Sequence, residues 1–249
     1  MSNPTTSLTR VALVTGASRG IGVALARQLA ADGFAVAVNY ASNAAEAGAL
    51  VASLKADGHT AVAVRADVSD SASVRQLFDT TEQALGKIDV LVNNAGVAKF
   101  QPIAETSDEE FERTFAVNTR GTFNTLREAA TRVNDGGRII NFSSSALALN
   151  MPNYAIYLAS KAAVETMTQV FAKELRGRQI TVNAVAPGPV ATELFFAGKT
   201  PAQIEHFTKL PPLERLGQTE DIAQVVSFLA SKQSGWVNGQ VLRANGGFA

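Results

Sequence analysis

The chain has no cysteine in its 249 residues. Disulfides, thiolate nucleophiles and cysteine-held metals are thereby excluded. Histidine is almost as scarce. His59 and His206 are too few for a multi-histidine metal site, and neither stands in a motif that would activate a serine for hydrolysis. Net charge is lacking too, since 22 lysines and arginines balance 22 aspartates and glutamates. That removes the electrostatic case for nucleic acid or an acidic membrane surface. No apolar run approaches the roughly 18 residues of a membrane span. Met1 to Thr9 carry no charged-then-apolar signal pattern. The expectation is a soluble, cytoplasmic protein with no nucleic-acid or membrane partner.

What is there is an alternation of short apolar runs and helical patterns. Residues 11–14, 35–38, 61–64, 88–92, 138–142, 180–185 and 240–243 read as strands buried on both faces. Helical patterns follow the first strand (Ile21, Leu25, Leu29) and cover 43–55 and 71–85. A capping box at Ser107 and Glu110 opens a helix carrying Asn118. Another helix carries Tyr157 and reaches about residue 176. Such alternation implies right-handed βαβ units and a parallel, doubly wound sheet. No linker divides the chain, so 1–249 reads as one domain, with 1–8 as a flexible N-terminus. One stretch breaks the rhythm. Between Pro189 and Gly217 lie Phe195, Phe196, Pro201, Phe207, Pro211 and Pro212. This insertion, 190–212 at its core, suits a ligand lid after a strand's C-terminal end, and equally a helix pair covering the sheet.

Two motifs carry chemistry. The first strand runs into Gly16, Ser18, Arg19, Gly20, Ile21 and Gly22 before a helix. Glycines in a strand-to-helix turn let a backbone pass close to a pyrophosphate, which the helix N-terminus attracts; they also serve as plain turn residues. Further on, Tyr157 and Lys161 are four residues apart and share a helix face. An ammonium near a phenol favours the phenolate and lowers its pKa from about 10. Three serines, Ser143 to Ser145, end the preceding strand, where a hydroxyl can hold a substrate oxygen. Tyr-x-x-x-Lys is also a common solvated helix face.

In order and spacing these residues resemble the classical short-chain dehydrogenase/reductase family over nearly the whole chain. The resemblance rests on Thr15 to Gly22, Asp67-Val68, Asn93-Asn94-Ala95-Gly96, Asn118, Ser144, Tyr157, Lys161, Pro187-Gly188 and Asn245-Gly246-Gly247. It implies a single-domain, Rossmann-like α/β fold with a seven-stranded parallel sheet. It further implies that Gly16, Gly20 and Gly22 bracket a pyrophosphate and that Asp67 and Val68 flank an adenine. Asn94, Ala95 and Gly96 would line the cofactor's inner edge, and Pro187, Gly188, Val190 and Thr192 its nicotinamide end. Ser144, thirteen residues before Tyr157, would hold the carbonyl oxygen. Tyr157 would protonate it, Lys161 would lower the phenol's pKa and bind ribose, and Asn118 would hold a water.

The cofactor reading turns on the end of the second strand. Asn39-Tyr40-Ala41-Ser42 stand where NAD enzymes of this kind carry a carboxylate. With no such repulsion, and with Arg19 as a cation, NADPH is the expected cofactor, although no Lys or Arg occupies Ala41. The resemblance thus points to an NADPH-dependent reductase of ketones or aldehydes. An NAD(P)-dependent alcohol or sugar dehydrogenase and a non-catalytic NADP(H) sensor remain alternatives. The pocket, drawn from 146–151, Tyr154 and Phe195-Phe196, is mostly apolar and suits a small carbonyl substrate. The family resemblance also implies a homotetramer.

Overall fold

In the computed structural model of the chain, residues 9–249 are described; the expected flexible stretch 1–8 lies outside them. Each apolar run forms a strand: β1 (Val11–Val14), β2 (Ala35–Tyr40), β3 (Ala61–Arg65), β4 (Ile88–Asn93), β5 (Arg138–Phe142), β6 (Thr181–Pro187) and β7 (Val241–Ala244). All pair in parallel in one sheet, in the order β3-β2-β1-β4-β5-β6-β7. The strand order reverses between β1 and β4, and a doubly wound fold opens a crevice at such a switch point.

Successive strand residues point to opposite faces, so each strand feeds two cores. Ala12 and Val14 pack with Leu25 and Leu29 of α1 (Gly20–Ala31), Leu50 and Leu54 of α2 (Ala44–Ala56), and Ile222, Val226 and Leu229 of α9 (Thr219–Ala230). Val11 and Leu13 pack on the other side with Leu77 and Phe78 of α3 (Ser71–Leu85) and Leu126 of α5 (Gly121–Arg132). Leu175, just past α6 (Ala155–Glu174), joins this second core. Burying each of these large apolar side chains contributes about 1.5–3 kcal/mol. No helix among the described residues is long and apolar enough to cross a membrane.

Two departures from the sequence reading matter for the site, and the insertion takes a form the sequence allowed. The helix expected to carry Asn118 is three pieces: α4 (Asp108–Phe115), a π turn over Ala116–Arg120, and α5. Gly121 is the cause of close packing here: a Cβ on it would sit 2.7 Å from Val68 Cγ2. Of the expected capping box, only the Ser107 half forms, accepting from Glu110 N at 3.3 Å; Glu110 lies 3.8 Å from Lys99. The insertion folds as α7 (Glu193–Phe196) and α8 (Pro201–Lys209), the latter opened by a complete Thr200–Gln203 capping box.

Candidate active site

The glycine turn is built around contacts that no larger residue permits. Gly16 and Gly20 adopt φ of 61° and 54°, the left-handed region that glycine enters freely. A Cβ on Gly22 would lie 2.3 Å from Gly16 O, and one on Gly16 would lie 2.8 Å from Ala95 Cα. Asn94 pins this turn to β4, its Nδ2 donating to Thr15 O at 3.0 Å and Gly16 O at 2.9 Å. Thr15 Oγ1 in turn accepts from the amides of Asn94 and Ala95, at 3.0 and 3.1 Å. Thr15 has no assigned role in the sequence reading; two consecutive amides on one hydroxyl become visible only when β1 and β4 lie side by side.

Beside this turn a cleft of about 560 Å³ runs over the strand ends, bordered by Ser18, Arg19 and Gly20 on one side and by Tyr40, Ala41, Ser42, Asp67 and Val68 on another. Helix α1 opens onto it without a capping side chain and without an acidic residue in its first turn. Its leading N–H groups therefore suit a diphosphate. Asp67 keeps one carboxylate oxygen on Ser69, with bonds of 2.9 Å to the amide and 2.7 Å to the hydroxyl. Val68 is held from behind by Asn124, whose Nδ2 donates to its carbonyl at 2.9 Å. A cradle of this shape and donor content fits a dinucleotide.

Asn39 and Tyr40 differ in what they offer that cleft. Asn39 is only 1% exposed. Its Oδ1 accepts from Gly16 N at 3.2 Å, and its Nδ2 donates to Ala66 O at 3.1 Å and Val64 O at 3.3 Å. It ties β2, β3 and the glycine turn together, so its polar atoms are spent inside the protein. Tyr40 is only half-buried and faces the other way. A cation does stand beside Ala41. Arg65 pairs with Tyr40 across β3 and donates through Nε to Ala41 O at 3.2 Å. This guanidinium was invisible in sequence because it comes from the neighbouring strand.

The second cavity, about 200 Å³, brings Ser144, Tyr157 and Lys161 together with Asn94 and Gly96. The three serines separate by their bonds. Ser143 Oγ donates to Glu165 at 2.6 Å and Ser145 Oγ to Ala186 O at 2.7 Å. Ser144 Oγ accepts from Ala146 N at 3.3 Å, and its hydroxyl faces the Tyr157 phenol. Lys161 is 5% exposed and donates to Phe142 O at 2.9 Å. Burial lowers its pKa to about 8. Its Nζ lies 6.0 Å from the Tyr157 ring centroid.

Here the electrostatic expectation is corrected. Burial pushes the Tyr157 phenol above its ordinary value; the Ser144 hydroxyl pulls it down by less, and Tyr154 adds to the rise. Desolvation disfavours the phenolate more than its neighbours favour it. Asn118 is tied into the same region. Its Oδ1 accepts from Val97 N at 2.8 Å, while Nδ2 donates to Val97 O at 2.9 Å and Ser160 Oγ at 3.0 Å. Ser160 Oγ donates to Tyr157 O at 2.6 Å. The Asn118 side chain thus has both amide donors engaged and one acceptor site left on Oδ1, and it braces the turn of helix that carries the phenol.

The insertion walls the cavity with Leu194, Phe195, Lys199 and Phe207. Opposite, Phe100 stacks on Tyr154 at 4.1 Å between centroids and meets Tyr157 edge-on at 5.6 Å. Pro187, Gly188, Val190 and Thr192 form the floor between cavity and insertion. Thr192 also lines the cleft, alongside Ile21, so the two spaces adjoin there. Its Oγ1 caps α7 by accepting from Phe195 N at 3.2 Å. Gly188 is fixed by close approach, since a Cβ would stand 2.7 Å from Asn245 Cβ. Phe100 and Lys199 are wall residues that the sequence reading passed over, for neither belongs to a motif.

Comparison with known proteins agrees with this geometry. A family model described as enoyl-(acyl carrier protein) reductase matches residues 16–249. A short-chain type dehydrogenase/reductase of Picea abies is 54% identical over 248 residues, covering 96% of this chain and 92% of that one. An NADPH-dependent aldehyde reductase-like chloroplastic protein of Arabidopsis thaliana is 45% identical over 253 residues, covering 96% and 94%. Among solved structures, a short chain dehydrogenase from Burkholderia cenocepacia in complex with NADP superposes with a TM-score of 0.90 at 37% identity, covering 97% of this chain and 98% of that one.

Proposed function

The chain belongs to the short-chain dehydrogenase/reductase family, and on that premise we propose that it reduces a ketone or aldehyde carbonyl with NADPH, Tyr157 being the general acid. The observation that carries this reading is the meeting of Ser144, Tyr157 and Lys161 in one largely apolar cavity that opens beside the dinucleotide cleft. When bound, NADPH supplies the hydride that adds to the carbonyl carbon. Everything else falls to side chains of this protein. As the carbonyl oxygen gains negative charge, the Ser144 hydroxyl turns from Tyr157 to offer it a hydrogen bond, a kind of contact worth about 3 kcal/mol in a dry site. The Tyr157 hydroxyl gives its proton to the same oxygen, so carbon and oxygen receive one hydride and one proton.

A raised Tyr157 pKa suits this direction, because the phenol then holds its proton at neutral pH. Lys161, with a pKa of about 8, is an ammonium at neutral pH and stabilises the phenolate left behind. It also has donor capacity beyond Phe142 O for ribose hydroxyls. Asn118 acts through Ser160 on the helix backbone at Tyr157. Arg19 on the glycine turn and Arg65 beside Ala41 supply two cations for a 2′-phosphate. The names of the Arabidopsis and Burkholderia relatives support the NADP(H) part of this reading.

The test is a spectrophotometric screen of NADPH oxidation against ketones, diketones and aldehydes, run with wild type and Tyr157→Phe. The variant keeps the ring and is expected to lose at least about a hundredfold in kcat while still binding NADPH. Turnover by the variant at near the wild-type rate would remove Tyr157 from the chemistry.

A further inference from the structure

The cavity over Tyr157 is not electrically neutral. Two lysines line it, Lys161 and Lys199, and no aspartate or glutamate does. Lys199 lies between α7 and α8 and donates one hydrogen bond, from Nζ to Phe195 O at 2.7 Å. Otherwise the ammonium meets rings. Its Nζ stands 4.7 Å from the centroid of Phe195, 5.3 Å from Phe100 and 6.0 Å from Phe207. Ring faces attract a cation but do not replace the oxygen partners of its hydration shell. Burial accordingly lowers the Lys199 pKa. Lys199 is only partly buried, and with one donor on Phe195 O it keeps two donors that an anionic oxygen in the cavity can accept from.

The geometry also sets how far that anion lies from the reaction. Nζ is 5.3 Å from the Phe100 centroid, which is 5.6 Å from the Tyr157 centroid, so ammonium and phenol ring are at most about 11 Å apart. Phe100, stacked on Tyr154, borders the space between them. We propose that Lys199 is a specificity-determining residue that selects carbonyl substrates carrying a carboxylate across a flat apolar body from the reacting carbon. The inference rests on the carbonyl-reductase reading and adds a substrate class to it. One benzene ring between aldehyde and carboxylate fits within that limit.

The test compares para-formylbenzoate with its methyl ester, by kcat/KM at saturating NADPH, in wild type, Lys199→Met and Lys199→Arg. Comparing the acid-to-ester ratio between proteins cancels the intrinsic reactivity of the two aldehydes. The ratio is expected to fall at least about tenfold in Lys199→Met and to stay within about threefold in Lys199→Arg. Binding is read separately, as the rise in melting temperature caused by benzoate with NADP⁺ present. That rise is expected in wild type and Lys199→Arg and is expected to vanish in Lys199→Met, whereas methyl benzoate treats all three alike. An unchanged ratio, or equal losses on acid and ester, would make Lys199 only a strut of the insertion and overturn the proposal, as would a benzoate shift independent of Lys199. If neither aldehyde is reduced but the benzoate shift still depends on Lys199, the anion site stands and the carbonyl-reductase reading fails.

Discussion

Replacing Asn39 with aspartate separates two pictures of the cofactor cleft. On sequence alone, a carboxylate at this position would accept hydrogen bonds from ribose hydroxyls and turn the enzyme towards NADH. In the structure it would be buried instead. Asn39 Nδ2 faces Ala66 O and Val64 O, at 3.1 and 3.3 Å. An aspartate oxygen there would set negative charge against two carbonyl oxygens and leave them without that donor. Each lost bond is worth about 1 kcal/mol, and an unsatisfied buried acceptor adds about 1–3, so a loss on the order of 3 kcal/mol follows. For a chain of this size that lowers Tm by roughly 6–12 °C. The aspartate would hold a proton more tightly in the folded state than at its unfolded value of about 3.9, so the folded state binds more protons across that gap. Stability of the variant then falls as pH rises from the acid range towards neutrality. Melting curves of both proteins at several pH values, with kcat/KM for NADPH and NADH, form the assay. A variant that melts within about 2 °C of wild type throughout and prefers NADH would refute the reasoning and turn Asn39 towards the ribose.

Other expectations follow from the same geometry. Tyr40→Asp, on the half-buried neighbour, is expected to raise kcat/KM for NADH relative to NADPH, whereas Arg19→Ala and Arg65→Ala each lower the NADPH preference by about tenfold, one charge-assisted bond to phosphate; an Arg65 variant with the wild-type ratio would restrict phosphate recognition to Arg19. Lys161 is charged below about 8, so NADPH affinity by fluorescence titration is expected to weaken as pH rises through that value. Because the unfolded lysine keeps its proton to about 10.4, burial costs stability most at neutral pH; Lys161→Met should therefore gain on wild type in melts near pH 7, by a margin that narrows between about 8 and 10.4. Amides of α7 and α8 are expected to exchange more slowly when cofactor and carboxylate ligand are both bound, and exchange rates unaltered by ligand would make the insertion a fixed cover.

Most of the sheet was legible because parallel strands buried on both faces are written as unbroken apolar runs. Even so, β2 and β6 extend two residues further than the runs suggest, through Asn39-Tyr40 and Ala186-Pro187. Side-chain amides and packing sustain pairing there, and no pattern of hydrophobicity encodes them. Helix α9 has a weak sequence signature although Ile222, Val226 and Leu229 have helical spacing. Its N-cap is Gln218, which gives no conventional start signal, and its capping bond with Asp221 is seen only when folded. The π turn leads into Gly121, which lies against Val68, fifty-three positions earlier, a contact with no local signature. Ser144, Tyr157 and Lys161 stand out in the sequence through the family resemblance, and the structure brings them to one cavity. The direction of the Tyr157 shift was not legible there, because burial is a property of the whole cavity. Arg65 and Lys199 escaped notice for a related reason: each acts across elements distant in sequence.

The bare start of α1 bears on how long the protein lasts, beyond how it binds. Its first turn has neither a capping oxygen nor a carboxylate, so the glycine turn gives up the roughly 1 kcal/mol that a cap contributes. A bound diphosphate would restore that contribution with charge, and the fold then becomes a population that the ligand controls. At a ligand concentration a hundred times Kd the native state gains about 2.7 kcal/mol, enough to cut its unfolded fraction nearly a hundredfold. Proteases and chaperones act on that fraction. The cellular abundance of this enzyme would therefore follow its nucleotide pool, falling when the pool runs down even if synthesis is constant.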